Sequence, residues 1–247
     1  MHGDLAGQYG PQRTNLQKEF ENKNDILRFR FQEIAPVDYL STVFLDRGNE
    51  DNLIVVFGTQ KDNKGNVIEK GTVKRIKFED IWDIAWRSNA YIPYCDFRKN
   101  YYHSKTLESV RAFITDCDGV TSLRLNKILK YLWSSLPAEP THIVNSGKGV
   151  HFVYVLDKPV KVNGKRWSVN RLNEAIQDTF SRLLTVDKHP VVHPYRFPGF
   201  TTKINTVATA FKVREPYTFE ELMDLFKIGR KTQGEAHRGK KEGQGRF

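Results

Sequence analysis

The chain lacks the features that define several protein classes. Its 247 residues include 2 cysteines, Cys95 and Cys117, which excludes a disulfide framework and a cysteine-rich zinc site. The sequence contains no apolar run long enough to cross a membrane, no signal-peptide pattern and no internal repeat. We therefore expect a soluble, cytoplasmic protein that has no membrane partner.

Positive charge is in excess. The formal net charge is +10, while hydrophobic residues make up 39% and aromatic residues 12% of the chain, as in globular proteins. The length is sufficient for one large domain or two small ones with a proper core. A basic balance of this size favours a polyanionic partner, nucleic acid first, and a merely basic, solvated surface is the alternative.

The most informative stretch is Phe-Ile-Thr-Asp-Cys-Asp-Gly at 113–119. The apolar run from Val110 to Ile114 ends in Asp116 and Asp118, which are two residues apart and therefore project from the same face of a strand. Two such carboxylates repel each other unless a cation lies between them, and oxygen ligands suit Mg²⁺ or Mn²⁺. The alternative is a polar strand-to-helix turn in which Asp118 only caps the next helix.

From Val110 onward, the periodicity predicts a β-α-β-β-α-β order. The predicted elements are a strand at 110–115, a helix at 121–136, strands at 142–145 and 150–156, a helix at 167–184 and a strand at 191–197. This order is the RRM-like arrangement, whose four-stranded antiparallel sheet has the first and third strands in the centre and the fourth beside the first. Asp116, Asp118, His151 and Asp187 would then converge on one patch of the sheet.

The residues before this core are expected to form a smaller module. Alternating residues at 26–34 predict a half-exposed strand, and 53–59 with 67–78 predict a hairpin. A helix is predicted at 79–88, with Trp82 and Trp86 on one face, which favours a place in the core over the alternative of a base-stacking platform. The aromatic and basic stretch at 91–107 fits a loop along a nucleic-acid backbone and an irregular packed linker equally well.

These patterns predict an α+β protein in four parts. The parts are a flexible N-terminal arm at 1–20, an N-terminal α/β module at 21–107, the RRM-like core at 108–228 and a disordered basic tail at 229–247. Near the end of the core, Thr218 to Glu221 form a capping box that opens a short helix. The tail would either bind nucleic-acid phosphates or connect to another region.

A glycine-rich turn is predicted between the second and third core strands. It reads Ser146-Gly147-Lys148-Gly149, and His151 follows in the next strand. Glycines let backbone amides approach an anion closely, and the lysine adds charge, so the turn suits a triphosphate. It is not a Walker A loop, because it joins two strands. The alternatives are an ordinary hairpin and a core histidine.

Two further segments carry candidate site residues. Asp187 follows Val186 at the end of the second core helix, where it either joins the other acidic residues on this patch or is only a turn residue. Arg196 begins an Arg-Phe-Pro-Gly turn at 196–199, where it can bind a phosphate bidentately or form a surface salt bridge.

In this order, the four segments resemble the archaeo-eukaryotic primase superfamily, and most closely the primase-polymerases of plasmids, phages and other mobile elements. The family has a hydrophobic strand ending in D-x-D or D-x-E, then a small residue, glycines and a histidine on a hairpin. A hydrophobic residue followed by Asp and an R-x-P-G turn complete the pattern. The matching segments are 113–118, 146–151, 186–187 and 196–199.

The resemblance implies a site for each of these residues. Asp116, Asp118 and Asp187 would be the catalytic residues and would ligate two Mg²⁺ or Mn²⁺ ions. The nucleotide would be bound by Ser146, Gly147, Lys148, Gly149, His151 and Arg196. Relatives often follow the R-x-P-G turn with Thr and Asn, whereas this chain has Phe200 and Thr202, which leaves Lys203 without an implied role.

The implied activity is synthesis and extension of primers on single-stranded DNA template from nucleoside triphosphates, in the replication of a plasmid, phage or mobile element. A replicative helicase is a further candidate partner. Two alternatives share the fold: a non-catalytic replication initiator, disfavoured because all three aspartates and the histidine are present, and an end-joining repair polymerase. A rolling-circle initiator is disfavoured because the chain has no H-x-H pair. The sequence does not determine the choice between ribo- and deoxynucleotides.

Overall fold

The computed structural model describes residues 14–48, 51–62, 64–98 and 102–229, without the side chain of Leu132. Residues 1–13 of the predicted arm and 230–247 of the predicted tail lie outside these ranges. None of the helices within the ranges combines the length and the apolar character needed to cross a lipid bilayer.

The described part of the chain contains α-helices and strands, and the strands range from 2 to 12 residues in length. The helices are α1 Asn15–Arg28, α2 Pro36–Val43, α3 Ser122–Lys127, α4 Arg166–Ser181 and α5 Phe219–Leu225. The first strands are β1 Gln32–Ile34, β2 Asn52–Phe57, β3 Gln60–Lys61, β4 Val67–Glu69, β5 Thr72–Lys77, β6 Ala90–Pro93 and β7 Cys95–Phe97. The later strands are β8 Leu107–Cys117, β9 His142–Asn145, β10 Val150–Lys161, β11 Val186–Asp187, β12 Pro194–Tyr195 and β13 Thr209–Lys212.

A 7-stranded antiparallel sheet forms the centre of the protein, in the order β1-β13-β9-β10-β8-β11, and β7 also pairs with β8. The predicted α+β class is confirmed. The long hydrophobic strands β8 and β10 lie side by side in the middle, as expected for segments that are buried along most of their length. The sheet is wider than the predicted four strands, because β13 and β1 extend it beyond β9.

The predicted last core strand at 191–197 is wrong. The strand that lies beside β8 is the two-residue β11, whereas Pro194 and Tyr195 pair with Pro93 and Ile92 in a second sheet. The segment contains prolines at 190, 194 and 198, and proline cannot donate a ladder hydrogen bond. The chain therefore leaves the large sheet after Asp187.

The second sheet has the order β12-β6-β2-β5 and lies against one face of the large sheet. The predicted hairpin is confirmed, since β2 pairs with β5 along its length, although β4 is a separate short strand that pairs with β3. The core between the sheets contains Tyr39, Phe57, Ile114, Val153 and Phe197, all buried. Strand β7, from the predicted N-terminal module, pairs with β8 of the large sheet, and β12, from the predicted core, pairs with β6 of the second sheet. The division into domains at residue 107 stays a prediction.

Helices α3, α4 and α5 cover the opposite face of the large sheet. Phe152 of β10 stacks on Phe180 of α4 with ring centroids 4.3 Å apart, and Phe113 of β8 stacks on Phe219 of α5. The helix predicted at 167–184 is confirmed as α4, and the capping box of Thr218 and Glu221 opens α5. The helix predicted at 121–136 ends at Lys127 and continues as a π turn and a 3-10 turn.

The first helix is the largest departure from the prediction. Residues 15–20 are helical rather than part of a flexible arm, and the strand predicted at 26–34 is helical up to Arg28 and extended only from Gln32. Thr14 and Gln17 form a capping box that starts α1. The buried face of α1 includes two polar residues, Lys23 and Asn24. They interrupt the hydrophobic periodicity by which an amphipathic helix is predicted from a sequence.

The two tryptophans predicted to share a buried face have different environments. The predicted helix is a 3-10 helix over Glu79–Ile84. Trp82 packs partly buried against Phe200, whereas Trp86 is 70% exposed. The expectation that both belong to the core is therefore wrong for Trp86.

Candidate active site

A polar cleft of about 140 Å³ opens where β8, β10 and the glycine turn meet the segment that carries β12. It is lined by Tyr91, Asp116, Asp118, Ser146, Lys148, Gly149, His151, His193, Pro194, Tyr195, Arg196, Lys203 and Ile204. The structure therefore brings together the predicted residues of three of the four sequence segments. Asp187, from the fourth, is a direct strand neighbour of Asp116.

Three site residues lie in one row across adjacent strands. His151 of β10 is the register partner of Asp116 on one side, and Asp187 of β11 is its partner on the other. Directly opposed residues of an antiparallel pair project to the same face. The Nε2 atom of His151 lies 3.4 Å from a carboxylate oxygen of Asp116. The convergence predicted from the topology is found here, although a different strand carries Asp187.

The carboxylates crowd one another. Burial and the charge of the nearby Asp118 raise the pKa of Asp116 to about 7, with a smaller contribution from Asp187. Asp118 follows β8 and is exposed, and Thr121 rather than Asp118 caps α3. The alternative interpretation of Asp118 as a helix cap is therefore wrong.

His151 is buried yet reaches the cleft. Its side chain is 5% exposed, and it packs edge-on against Tyr195. Burial, followed by the charge of Arg196, lowers the pKa of His151 to about 3. A neutral imidazole at this position has one N–H donor and one acceptor nitrogen for a ligand or for Asp116.

The glycine turn is shaped by two steric requirements. Gly147 has φ of +112°, which L side chains rarely adopt, and a Cβ at Gly149 would lie 2.6 Å from the backbone oxygen of Cys117. The absence of a side chain at Gly149 therefore lets the turn approach the end of β8, directly before Asp118. Lys148 at the tip is exposed, and Ser146 lies at the edge of the cleft.

Arg196 is held by neighbours rather than by a surface salt bridge. Its guanidinium donates to the backbone oxygen of Thr201 and, over 3.0 Å, to the hydroxyl of Tyr91. The guanidinium also lies over the Tyr91 ring, 4.8 Å from its centroid. Arg196 is 5% exposed, so this cation is desolvated and fixed at the wall of the cleft.

Several lining residues were not predicted from the sequence. Tyr91 comes from the second sheet, and His193 and Tyr195 from the segment that was expected to be a core strand. Lys203, to which the resemblance gave no role, lines the cleft, and its charge contributes to lowering the pKa of Asp116 against the larger raising effects. Position in the fold, rather than a local pattern, brings these residues to the site.

Two half-buried histidines stack on each other at the flank of the site. The rings of His189 and His193 are parallel, with centroids 3.5 Å apart. The Nε2 atom of His189 lies 3.1 Å from a carboxylate oxygen of Asp187. Burial, followed by the charge of His189, lowers the pKa of His193 to about 4.

The carboxylates fit a divalent cation by chemistry. Asp116 and the two carboxylates whose charges raise its pKa form the kind of oxygen-rich site that a hard cation stabilises. Within the described ranges, however, no group of three or more His, Cys, Asp or Glu side chains is close enough to hold a metal ion. A cation would therefore have to draw in the exposed side chains of Asp118 and Asp187, the latter away from His189.

Comparison with known proteins identifies the fold. No family model matches the chain, and no curated protein sequence matches it. The AEP (archaeo-eukaryotic primase) domain of the cyanophage S-2L primase-polymerase superposes with a TM-score of 0.57 at 16% identity, over 77% of this chain and 95% of that chain.

The catalytic domain of the primase RepB', solved with initiator DNA, gives a TM-score of 0.43 at 12% identity, over 83% of this chain and 98% of that chain. This second TM-score is too low to establish a shared fold. The first shows that the chain has the fold of an AEP domain, as the four sequence segments predicted.

Proposed function

We propose that this protein is a DNA-dependent primase-polymerase that makes and extends primers on single-stranded template by nucleotidyl transfer. The observation that carries the proposal is the row of His151, Asp116 and Asp187 at a cleft that also contains Asp118 and the glycine turn. These are the residues that the resemblance to AEP primases assigns to catalysis and nucleotide binding, and they belong to a chain with that fold.

The residues that would hold two Mg²⁺ or Mn²⁺ ions are Asp116, Asp118 and Asp187. Bound ions of this kind lower the pKa of an attacking hydroxyl and stabilise a departing pyrophosphate. The raised pKa of Asp116 fits this role. Its surroundings destabilise the ionised carboxylate, and a bound cation would stabilise it.

The nucleotide phosphates would occupy the side of the cleft that the glycine turn forms. Lys148 and Lys203 are exposed cations there, and Arg196 is a fixed, desolvated one. Arg196 keeps its orientation through Thr201 and Tyr91, so little side-chain entropy is lost when it binds an anion. His151 would donate its N–H to a phosphate oxygen while remaining neutral.

The net charge of +10 supports a nucleic-acid template. We assign the template as single-stranded DNA and the cellular context as replication of a plasmid, phage or other mobile element, with a replicative helicase as a candidate partner. These assignments come from the resemblance to primase-polymerases.

The experiment that tests the proposal compares three DNA substrates in Mg²⁺ and in Mn²⁺. Labelled nucleotides, ribo- and deoxy- separately, are supplied with an unprimed single strand, a primed template and a gapped duplex with a 5′-phosphate. A primase-polymerase makes new chains on the unprimed strand and extends the primer. Activity confined to the gapped duplex would indicate a repair polymerase, and template binding without any incorporation would indicate a non-catalytic initiator.

A further inference from the structure

The buried side chain of Lys23 lies behind the glycine turn. Its ammonium donates to the backbone oxygens of Gly147 and Gly149 over 2.8 and 3.2 Å. Lys23 is 1% exposed, and within the part of the chain that the structure describes it has no ion-pair partner. Two carbonyls of the turn are therefore the main polar partners of a cation that has lost its water.

A buried ammonium is costly unless an opposite charge compensates it. Burial lowers the pKa of Lys23 to about 8, against a smaller raising effect from Glu19. The charge of Lys23 is also among the causes that lower the pKa of His151, so its field reaches a residue that lines the cleft. A polyanion in the cleft would supply the compensating charge.

Other contacts attach the helix of Lys23 to the same region. The amide of Asn145, just before the turn, donates to Asn24 and to the backbone oxygen of Phe20 over 2.8 and 3.0 Å. Gln17 donates to the backbone oxygen of Ile204, a residue of the cleft wall. Helix α1 is thus fixed to both sides of the cleft.

We infer that Lys23 is a positioning residue for the triphosphate: it fixes the carbonyls of Gly147 and Gly149, and with them the shape of the glycine turn, and it adds a desolvated positive charge behind the bound phosphates. This inference rests on the proposed nucleotide site and extends it to helix α1, which the sequence predicted to be a flexible arm up to residue 20 and a strand from residue 26.

The test measures equilibrium binding of a nucleoside triphosphate and of single-stranded DNA to the full chain by calorimetry. Lys23→Met removes both the charge and the donors, and Lys23→Gln retains N–H donors without the charge. Lys18→Met is the matched control, since Lys18 is an exposed lysine on the same helix. We expect both Lys23 variants to bind the triphosphate about tenfold more weakly and Lys18→Met to be unchanged.

DNA binding should be the same for all variants. In steady-state assays the loss should appear in KM for the nucleotide, with kcat nearly unchanged. Lys23 variants that bind triphosphate like the wild type would overturn the inference and leave the proposed function intact. A wild-type chain that neither binds triphosphate nor incorporates nucleotide would overturn the proposed function itself.

Hydrogen exchange in the wild type provides a measurement that does not depend on the folding of a variant. Binding of the triphosphate should slow amide exchange in residues 146–149 and also in residues 20–24 of α1, because the two segments are joined through Lys23. Protection confined to the turn would contradict the inference.

Discussion

Asp187 lies directly opposite Asp116 across the antiparallel pair of β11 and β8. The pairing places a second acidic side chain beside one that is already half-buried, and a third, Asp118, follows in the same chain segment. Repulsion between such carboxylates destabilises the folded protein when no cation is bound, and a bound cation would remove this repulsion. The first prediction concerns this energetic conflict.

In metal-free buffer at pH 8, Asp116→Asn should increase the free energy of unfolding by a few kcal/mol, on the order of 1.4 kcal/mol for each pKa unit. The folded pKa of Asp116 is about 7, above the ordinary 3.8. A raised pKa means that stability is present at low pH and is lost as pH rises through 7. The advantage of the variant should therefore shrink as pH falls from 7 toward 4.

Urea unfolding of both proteins at pH 8 and pH 5 measures this difference. Asp224→Asn, which removes one exposed carboxylate on α5, is the matched control for the loss of a negative charge. Adding Mn²⁺ should stabilise the wild type more than Asp116→Asn, because binding to the native state alone raises stability. If the free energies of unfolding of the wild type and Asp116→Asn differ by the same amount at both pH values, the pKa of Asp116 is not raised by its surroundings.

A second pH effect has the opposite sign and a different origin. His142 of β9 is fully buried, and its Nε2 atom has no hydrogen-bond partner among the residues that the structure describes. Burial lowers its pKa to about 4 from the ordinary 6.5. As the pH is lowered, His142 therefore takes up a proton in the unfolded chain at a higher pH than in the folded protein. Stability falls as pH decreases from 6.5 toward 4.

We expect His142→Leu to lose less stability than the wild type between pH 7 and pH 4.5, by an amount on the order of 1 to 2 kcal/mol. Thermal or urea unfolding at the two pH values provides the measurement. If the two proteins lose stability equally, then His142 is not the source of the acid sensitivity.

His151 should act on the nucleotide rather than on the template. We expect His151→Ala to raise KM for the nucleotide about tenfold, since one hydrogen bond to a charged phosphate is lost, with template affinity unchanged. His142→Leu is the control, because it changes a buried histidine of the adjacent strand that does not line the cleft. Unchanged nucleotide KM and kcat in His151→Ala would reduce His151 to a core residue.

Tyr91 should matter only through Arg196. Tyr91→Phe removes the hydroxyl that accepts from the guanidinium but keeps the ring beneath it, so KM for the nucleotide should rise about threefold. Arg196→Ala should raise it more. The double variant should be no worse than Arg196→Ala, because the two residues act as one unit. Effects that simply add in the double variant would show that Tyr91 acts independently.

The parts of the site that follow from local chemistry could be predicted from the sequence. The run that ends in Asp116 had to be a buried strand, and the glycines at 147 and 149 required a tight turn. The order of helices and strands then brought His151 beside Asp116. These predictions depend on periodicity and turn chemistry, which act over a few residues.

The parts that depend on long-range contacts could not be predicted. Lys23 and Asn24 look like the polar face of an exposed segment, and they are buried only because the glycine turn and β9 satisfy their polar atoms. The strand that carries Asp187 is two residues long, too short to show a period. Tyr91 reaches the cleft from a second sheet whose docking no local pattern encodes.

The most direct test of the proposed chemistry is incorporation of a labelled nucleotide on a primed template by the wild type and by Asp118→Asn. Asp118 is exposed, so this substitution should leave the fold and the template affinity intact, and a DNA-binding measurement on both proteins checks this. We expect the wild type to require Mg²⁺ or Mn²⁺, to stop when a chelator is added, and to exceed Asp118→Asn by on the order of 100-fold or more. A near-normal rate for Asp118→Asn, or incorporation by the wild type in the presence of chelator, would contradict nucleotidyl transfer at this site.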